Sequence, residues 1–339
     1  MDASPIHVGV IGLGFMGATH VAAYRSAAAA GYGCRLVAVA DPKPSRRAGR
    51  LGDVGGNLAS GSEAAAFDPA EVRGHASAEA LIDDGDVRLV SICTRTDTHV
   101  ALAERAMRAG KHVLIEKPVA LESAAIRRLA DVASECGVCC MPAMCMRFWP
   151  AWAWLKEAVD NRRFGEVRSA RFTRLGCRPT WSEAYLDDRL TGGALVDLHI
   201  HDTDFVTYLF GQPVHVCSTG TLDHVTTLYG YPHVPHVAAE GGWDQHGGFA
   251  FTMRYVVTFD RATLDFDIAR DSPLLLCRDG RAVPVDLEPI TGYDGEVRHL
   301  IDCLTHDRRP AVNLHDAAAT QAVLEAERRS LEGGGVVHL

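Results

Sequence analysis

The chain has 339 residues, 47% of them apolar, 23% charged and 7% aromatic, and its 34 basic and 43 acidic side chains leave a net charge of −9. That length accommodates two domains, each able to bury a core of its own, and the apolar fraction excludes a disordered chain. Interspersed charges with an acidic balance exclude the basic footprint of a nucleic-acid binder.

Through about residue 145, short apolar runs at 7–11, 36–40, 89–93, 112–115 and 138–144 alternate with stretches of helical spacing such as 99–108 and 123–136. This alternation predicts βαβ units and a parallel sheet covered on both faces. The segment 49–69, rich in Gly, Ala and Ser, reads as a surface excursion before the third strand. After Trp149 the texture changes. A helix-like AWAWLKEAVDN precedes EVRSARFTRL, HVCSTGT, FAFTMRYVVTF and ATLDFDI, whose two-residue alternation predicts an antiparallel sheet with one buried face. Helices are expected at about 193–209 and 317–330, and 178–188 and 221–248 read as loops. The expected architecture is α/β: a doubly wound parallel sheet over 1–148, then an α+β domain with a large, mainly antiparallel, open-faced sheet over 149–339.

Ten cysteines are too few for a disulfide scaffold. Several sit in apolar runs, Cys93 in LVSICT and Cys139 and Cys140 in GVCCMPAM, as buried thiols of a reducing compartment do. The opening MDASPIHVGVIG lacks a basic n-region, and the most apolar later stretch is interrupted by Pro142, Arg147 and Pro150. Neither a signal peptide nor a membrane span is expected, so the predicted location is the cytoplasm, with no membrane partner.

The first strand runs into Gly12-Leu13-Gly14-Phe15-Met16-Gly17, and a helix follows. Gly12 permits a tight turn, Gly14 a close approach of backbone to a pyrophosphate, and Gly17 close helix–strand packing. Gly12, Gly14, Phe15, Met16 and Gly17 are therefore candidate cofactor contacts, with the phosphates at the helix N-terminus. The second strand ends at Asp41, placed to accept hydrogen bonds from ribose hydroxyls and to repel a 2′-phosphate. NAD is favoured, with NADP left open, and Arg46 and Arg47 read as a solvated helix face.

The fifth strand ends in Glu116-Lys117-Pro118, and ligands of open parallel sheets bind outside the carboxyl ends of their strands. Lys117 there is suited to polarising a hydroxyl or carbonyl oxygen. In GGALVDLHIHDTD, a continuous helix would put Asp197, His201 and Asp204 on one stripe, and an Asp one turn before a His makes a capable general base. An ordinary exposed face with charges at helical spacing gives the same pattern.

In one order, the strand–GLGFMG–helix, Asp41, CTRTDTH, Glu116-Lys117-Pro118 and GGALVDLHIHDTD resemble the glucose–fructose oxidoreductase, inositol dehydrogenase and MocA family over essentially the whole chain. The resemblance implies a nicotinamide-dependent oxidoreductase of a sugar, amino sugar, sugar acid or inositol. It implies that Lys117 binds the reacting hydroxyl and that Asp197 and His201 form the acid/base pair. Thr94, Arg95, Thr96 and His99 would line the cofactor beside Glu116 and Lys117, although Arg95 stands where a proline is usual and Thr96 where an asparagine is common. Arg147, in MRFWP, matches an arginine that faces substrate. A homodimer or homotetramer, formed through the outer face of the second sheet, is also implied.

Two other readings use the same residues. His199-Ile200-His201 with Asp202 or Asp204, and His233 with His236, are ligand types of a metal hydrolase, but helical spacing aims His199 and His201 apart. No metal is expected, and Cys136-Gly-Val-Cys139, a lone C-x-x-C, reads as structural. A non-catalytic dinucleotide sensor of the same fold is the second alternative, and it has no need of Lys117, Asp197 and His201 together.

Overall fold

The computed structural model describes residues 4–51 and 65–339. Contacts divide the chain into two units, Met1–Cys145 with Thr291–Ala318, and Met146–Ile290 with Ala319–Leu339. In the first unit the chain runs through β1 (Ile6–Ile11), α1 (Phe15–Ala29), β2 (Cys34–Ala40), α2 (Pro44–Arg47), β3 (Arg73–His75) and α3 (Ala78–Ile82). It continues through β4 (Leu89–Ile92), α4 (Thr96–Arg108), β5 (His112–Ile115), α5 (Ser123–Cys136) and β6 (Cys140–Pro142). The strands pair in parallel in the order β3-β2-β1-β4-β5-β6. Every residue of β4 is buried, which is why that run is continuously apolar rather than alternating. The third strand, Arg-Gly-His, carries no apolar residue and left no periodic signal. Most of the predicted excursion at 49–69 lies outside the described residues.

The second unit contains α6 (Pro150–Asp160), β7 (Val167–Cys177), α7 (Asp188–Thr191), α8 (Gly193–Asp197), α9 (Ile200–Phe210), β8 (His215–Gly220), β9 (His224–Gly230) and β10 (Val237–Gln245). Next come β11 (Thr252–Phe259), β12 (Thr263–Asp267), β13 (Leu274–Arg278) and β14 (Arg281–Pro284). The chain ends with α10 (Gly292–Thr305), α11 (Leu314–Gly333) and β15 (Val336–His338). The sheet order is β14-β13-β12-β11-β7-β10-β9-β8-β15, antiparallel except for the β7–β10 pair. Alternation in β7 and β11 sends one set of side chains to a core built on Trp152. The Trp152 ring lies 4.7–6.2 Å, centroid to centroid, from Phe172, Phe205, Tyr255 and Phe266.

Three expectations change. First, 221–248 is not a loop, for it holds β9 and β10, and β10 sits beside β7 near the sheet centre. Its sequence, VAAEGGWDQ, hides the strand because close packing demands small residues: a Cβ on Gly241 would lie 2.8 Å from the His199 side chain. Second, no single helix spans 193–209. The helix breaks between α8 and α9, where His199 N–H reaches back to Ala194 O at 2.8 Å, so Asp197, His201 and Asp204 do not form one helical stripe. Third, α10 had not been foreseen. It is started by a capping box in which the Thr291 and Asp294 side chains bond each other's backbone N–H, and it packs with α1 in the first unit.

Candidate active site

In the first unit, the strand order reverses between β1 and β4, and the candidate groups collect where the strands end there. Gly12 follows β1 with φ of 84°, and a Cβ on it would lie 2.7 Å from Cys93 O. A Cβ on Gly17 would strike Gly12 O at 1.8 Å, so the start of α1 is pressed onto the turn. Gly14, the N-cap of α1, faces open space, as a residue must where a diphosphate meets helix N–H groups. Phe15 and Met16, in the first turn of α1, are partly exposed. Gly17→Ala is therefore expected to cost about 1–3 kcal/mol by overpacking. Gly14→Ala is expected to stay within about 1 kcal/mol of wild type. Urea midpoints of the two variants check this contrast.

Asp41 is 5% exposed and ties the glycine loop to the end of β2. Its Oδ2 accepts from Leu13 N–H at 2.8 Å and its Oδ1 from Lys43 N–H at 2.8 Å. Each oxygen keeps a second lone pair, so the carboxylate fits a ribose diol. Arg46 and Arg47 are not a solvated face. Arg46 lies 3.8 Å from the Asp41 carboxylate, and Arg47 donates to the backbone oxygens of Asp41 and Pro42.

After β4, Thr94 and Arg95 line an open cleft of about 500 Å³ with Ala78, Glu79, Thr98 and Leu102. Arg95 is exposed and forks onto Asp97 at 2.8 and 3.2 Å, and Thr96 is partly exposed in the first turn of α4. His99 stands differently from its expected role. It is 1% exposed, and its two ring nitrogens sit 2.9 Å from Pro118 O and 3.1 Å from Thr94 O. Burial holds this imidazole below the ordinary histidine range, although both carbonyls oppose that shift. His99 thus lies between the Thr94 turn and the Lys117–Pro118 turn, its single N–H donating to one of the two carbonyls, with neither nitrogen turned outward. Glu116 is likewise buried, bonded to His20 through one oxygen and to Lys117 N–H through the other. Lys117 itself is partly exposed.

In the second unit, the polar residues after Asp197 divide into two sets. His199 is fully buried, its Nε2 3.1 Å from Glu327 and 3.2 Å from the Tyr229 hydroxyl. Glu327 also accepts from Tyr229 at 2.9 Å, Thr203 at 3.1 Å and Thr227 at 3.2 Å. Asp202 is forked by Arg174 at 2.8 and 3.1 Å, and Asp204 by Arg147 at 2.9 and 2.7 Å with Thr320 at 3.1 Å. These bonds pin the start of α9, while Asp197 and His201, on either side of the helix break, stay partly exposed. Arg147, expected to face a substrate, is 7% exposed and stacks over Tyr208 at 4.5 Å. It belongs to the packing of the second unit.

Several of these partners had escaped the sequence reading. Arg174 left a signal, because it alternates with Ala170 and Phe172 on the buried face of β7, where a charge requires a buried partner. Glu327 and Tyr229, far away in the chain, left none. Burial pushes the Cys139 thiol up to about 12, which suits a small core group rather than a reactive thiolate. No helix among the described residues is long and apolar enough to cross a membrane.

Residues 6–144 match the oxidoreductase family with an NAD-binding Rossmann fold, and residues 152–264 match the C-terminal domain of the same family. The inositol 2-dehydrogenase of Rhizobium meliloti (strain 1021) is 32% identical over 64% of this chain and 59% of its own length. The myo-inositol 2-dehydrogenase of Thermotoga maritima is 32% identical over 62% of this chain and 56% of its own. The chain thus spans less than two thirds of the length of these relatives. A levoglucosan dehydrogenase solved with NADH and levoglucosan shares the fold, with a TM-score of 0.82 at 20% identity, covering 98% of this chain and 99% of that one. With both of its domains matched in order and the glycine turn, Asp41 and the Lys117 turn gathered at one sheet edge, the chain belongs to the GFO/IDH/MocA oxidoreductase family and carries its NAD-binding Rossmann domain at the N-terminus.

Proposed function

We propose that the chain is an NAD-dependent dehydrogenase that interconverts a secondary hydroxyl and a ketone on a sugar, sugar acid or cyclitol. One observation carries the reading: the glycine loop, Asp41 and the Glu116–Lys117–Pro118 turn occupy the same end of one parallel sheet, the dinucleotide position of this fold. The two relatives named as inositol dehydrogenases and the neighbour holding levoglucosan support a polyol substrate.

Gly12, Gly14, Gly17 and the first turn of α1 would hold the diphosphate, and Asp41 the adenosine ribose. A nicotinamide held there would supply the hydride chemistry. His201 accepts the hydroxyl proton, and Asp197 favours the imidazolium that results. Lys117 stabilises the developing alkoxide through its ammonium charge. His99 and Glu116 are positioning groups behind the cofactor and Lys117 turns. The second unit supplies the residues that choose the substrate, and its sheet joins copies of the chain into a homodimer or homotetramer in the cytoplasm.

The test is a fluorescence titration with NADH and NADPH, followed by NAD-coupled absorbance on inositols, hexoses and sugar acids. Tight NADH binding with turnover on one of them is the expected result. Tight binding without turnover would favour a sensor, and binding of neither cofactor would end the reading. Asp41→Ala is expected to weaken NAD more than NADP, moving the ratio of kcat/KM values toward NADP by about tenfold or more, because it removes the repelling carboxylate and releases Arg46. An unchanged ratio would refute the assignment of Asp41.

A further inference from the structure

His20 lies on α1, three residues beyond Gly17, and is fully buried. Its Nδ1 is 2.7 Å from Ser91 Oγ on β4, and its Nε2 is 2.9 Å from Glu116 Oε1 at the end of β5. Glu116 Oε2 accepts the Lys117 N–H at 3.1 Å, and the Tyr24 hydroxyl meets Ser91 Oγ at 3.3 Å. One ring therefore links the helix that starts at the glycine loop to the turn that carries Lys117.

The groups around this ring fix its charge. From α10, Glu296 is fully buried, and neither carboxylate oxygen finds a hydrogen-bond partner among the described residues. Burial holds Glu296 well above the ordinary carboxylate range, so it stands as a neutral acid. Cys93, after β4, is buried, and its thiol is pushed up in the same way. Burial opposes charge on His20 and the hydrogen bond to Glu116 favours it, the ring being held well above the ordinary histidine range. The His20–Glu116 contact is a buried side-chain pair, and each partner is held by a further hydrogen bond, His20 to Ser91 and Glu116 to the Lys117 N–H.

We infer that His20 is a positioning residue for Lys117: by fixing one oxygen of Glu116 it fixes the other against the Lys117 N–H, so that the glycine-loop helix and the lysine turn keep one register. The inference rests on the role proposed for Lys117, but its first test needs no substrate. The chain has four lysines, Lys43, Lys111, Lys117 and Lys156. Reductive methylation with ¹³C-formaldehyde gives each lysine a separate NMR signal, and Lys117→Arg assigns the one that matters. His20→Leu is expected to displace the Lys117 signal. His20→Gln, which restores an N–H donor toward Glu116, is expected to return the signal most of the way, and Tyr24→Phe to leave it in place. A Lys117 signal unmoved in folded His20→Leu overturns the inference, as does one that moves equally in Tyr24→Phe. If His20→Leu does not fold, Glu116→Gln loosens the same link from its other end and is read in the same way.

The second readout is kinetic, on whichever polyol is turned over. His20→Leu is expected to lower kcat/KM by about 10–100-fold, as removal of a partner one contact behind a functional group does. In a Lys117→Ala background it is expected to add less than about twofold, because the residue it positions is already gone. Losses that multiply would show His20 acting elsewhere. Should no polyol be turned over, the dehydrogenase reading fails alone and the Lys117 signal still decides the role of His20.

Discussion

Lys117→Ala and His201→Ala are each expected to lower kcat by about 10²–10⁴-fold, the usual contribution of a positioned acid, base or oxyanion stabiliser. NADH affinity in the fluorescence titration is expected to stay near wild type, because the glycine loop, Asp41 and α1 remain intact in both variants. Both residues are assigned to charge that develops only as the hydroxyl loses its proton and hydride. The losses should therefore fall on kcat rather than on KM. The double variant is expected to be little worse than the poorer single one, since groups acting in a single transition state do not contribute independently. Turnover at the wild-type rate in either single variant would refute the mechanism.

Arg147→Ala is expected to destabilise the protein by about 3–5 kcal/mol, the cost of stranding one partner of a buried ion pair. The stranded partner is Asp204, 1% exposed, which would keep only the Thr320 hydroxyl among its side-chain partners described above. Replacing both Arg147 and Asp204 by leucine is expected to cost clearly less, since no lone buried charge remains. Urea denaturation of the three proteins measures these differences. An Arg147→Ala protein as stable as wild type, but with a raised KM for its polyol, would return Arg147 to the substrate side.

The two halves of the chain were unequally readable. In the first unit the signals are local, a run of β-branched residues, a glycine spacing, an acid or a lysine at a strand end, and each survives in the structure at its expected place. What sequence order could not reveal there is the use of His99 and Glu116, whose polar atoms are turned inward onto backbone and onto His20. In the second unit the chemistry is set by partners distant in sequence. His199 depends on Glu327 and Tyr229, Asp202 on Arg174, and Asp204 on Arg147, so a stretch that spells an amphipathic helix is bent and pinned from several directions. The strand β10 was invisible for the opposite reason. Its Gly241 and Gly242 give no β-propensity, yet Gly241 is what lets the helix junction at His199 lie against the sheet, and Gly242 leaves room for the His224 ring.

The return of Thr291–Ala318 to the first unit bears on how this protein can be dissected. Val297, Leu300 and Ile301 of α10 are at most 1% exposed, and α10 packs with α1, whose own buried face includes His20, Val21 and Tyr24. A fragment cut after residue 148 would lay that face bare, at about 1.5–3 kcal/mol for each large apolar side chain left in water. Expressing the nucleotide-binding half by itself therefore calls for a spliced gene, with residues 1–145 joined by a short linker to 291–318, rather than a stop codon.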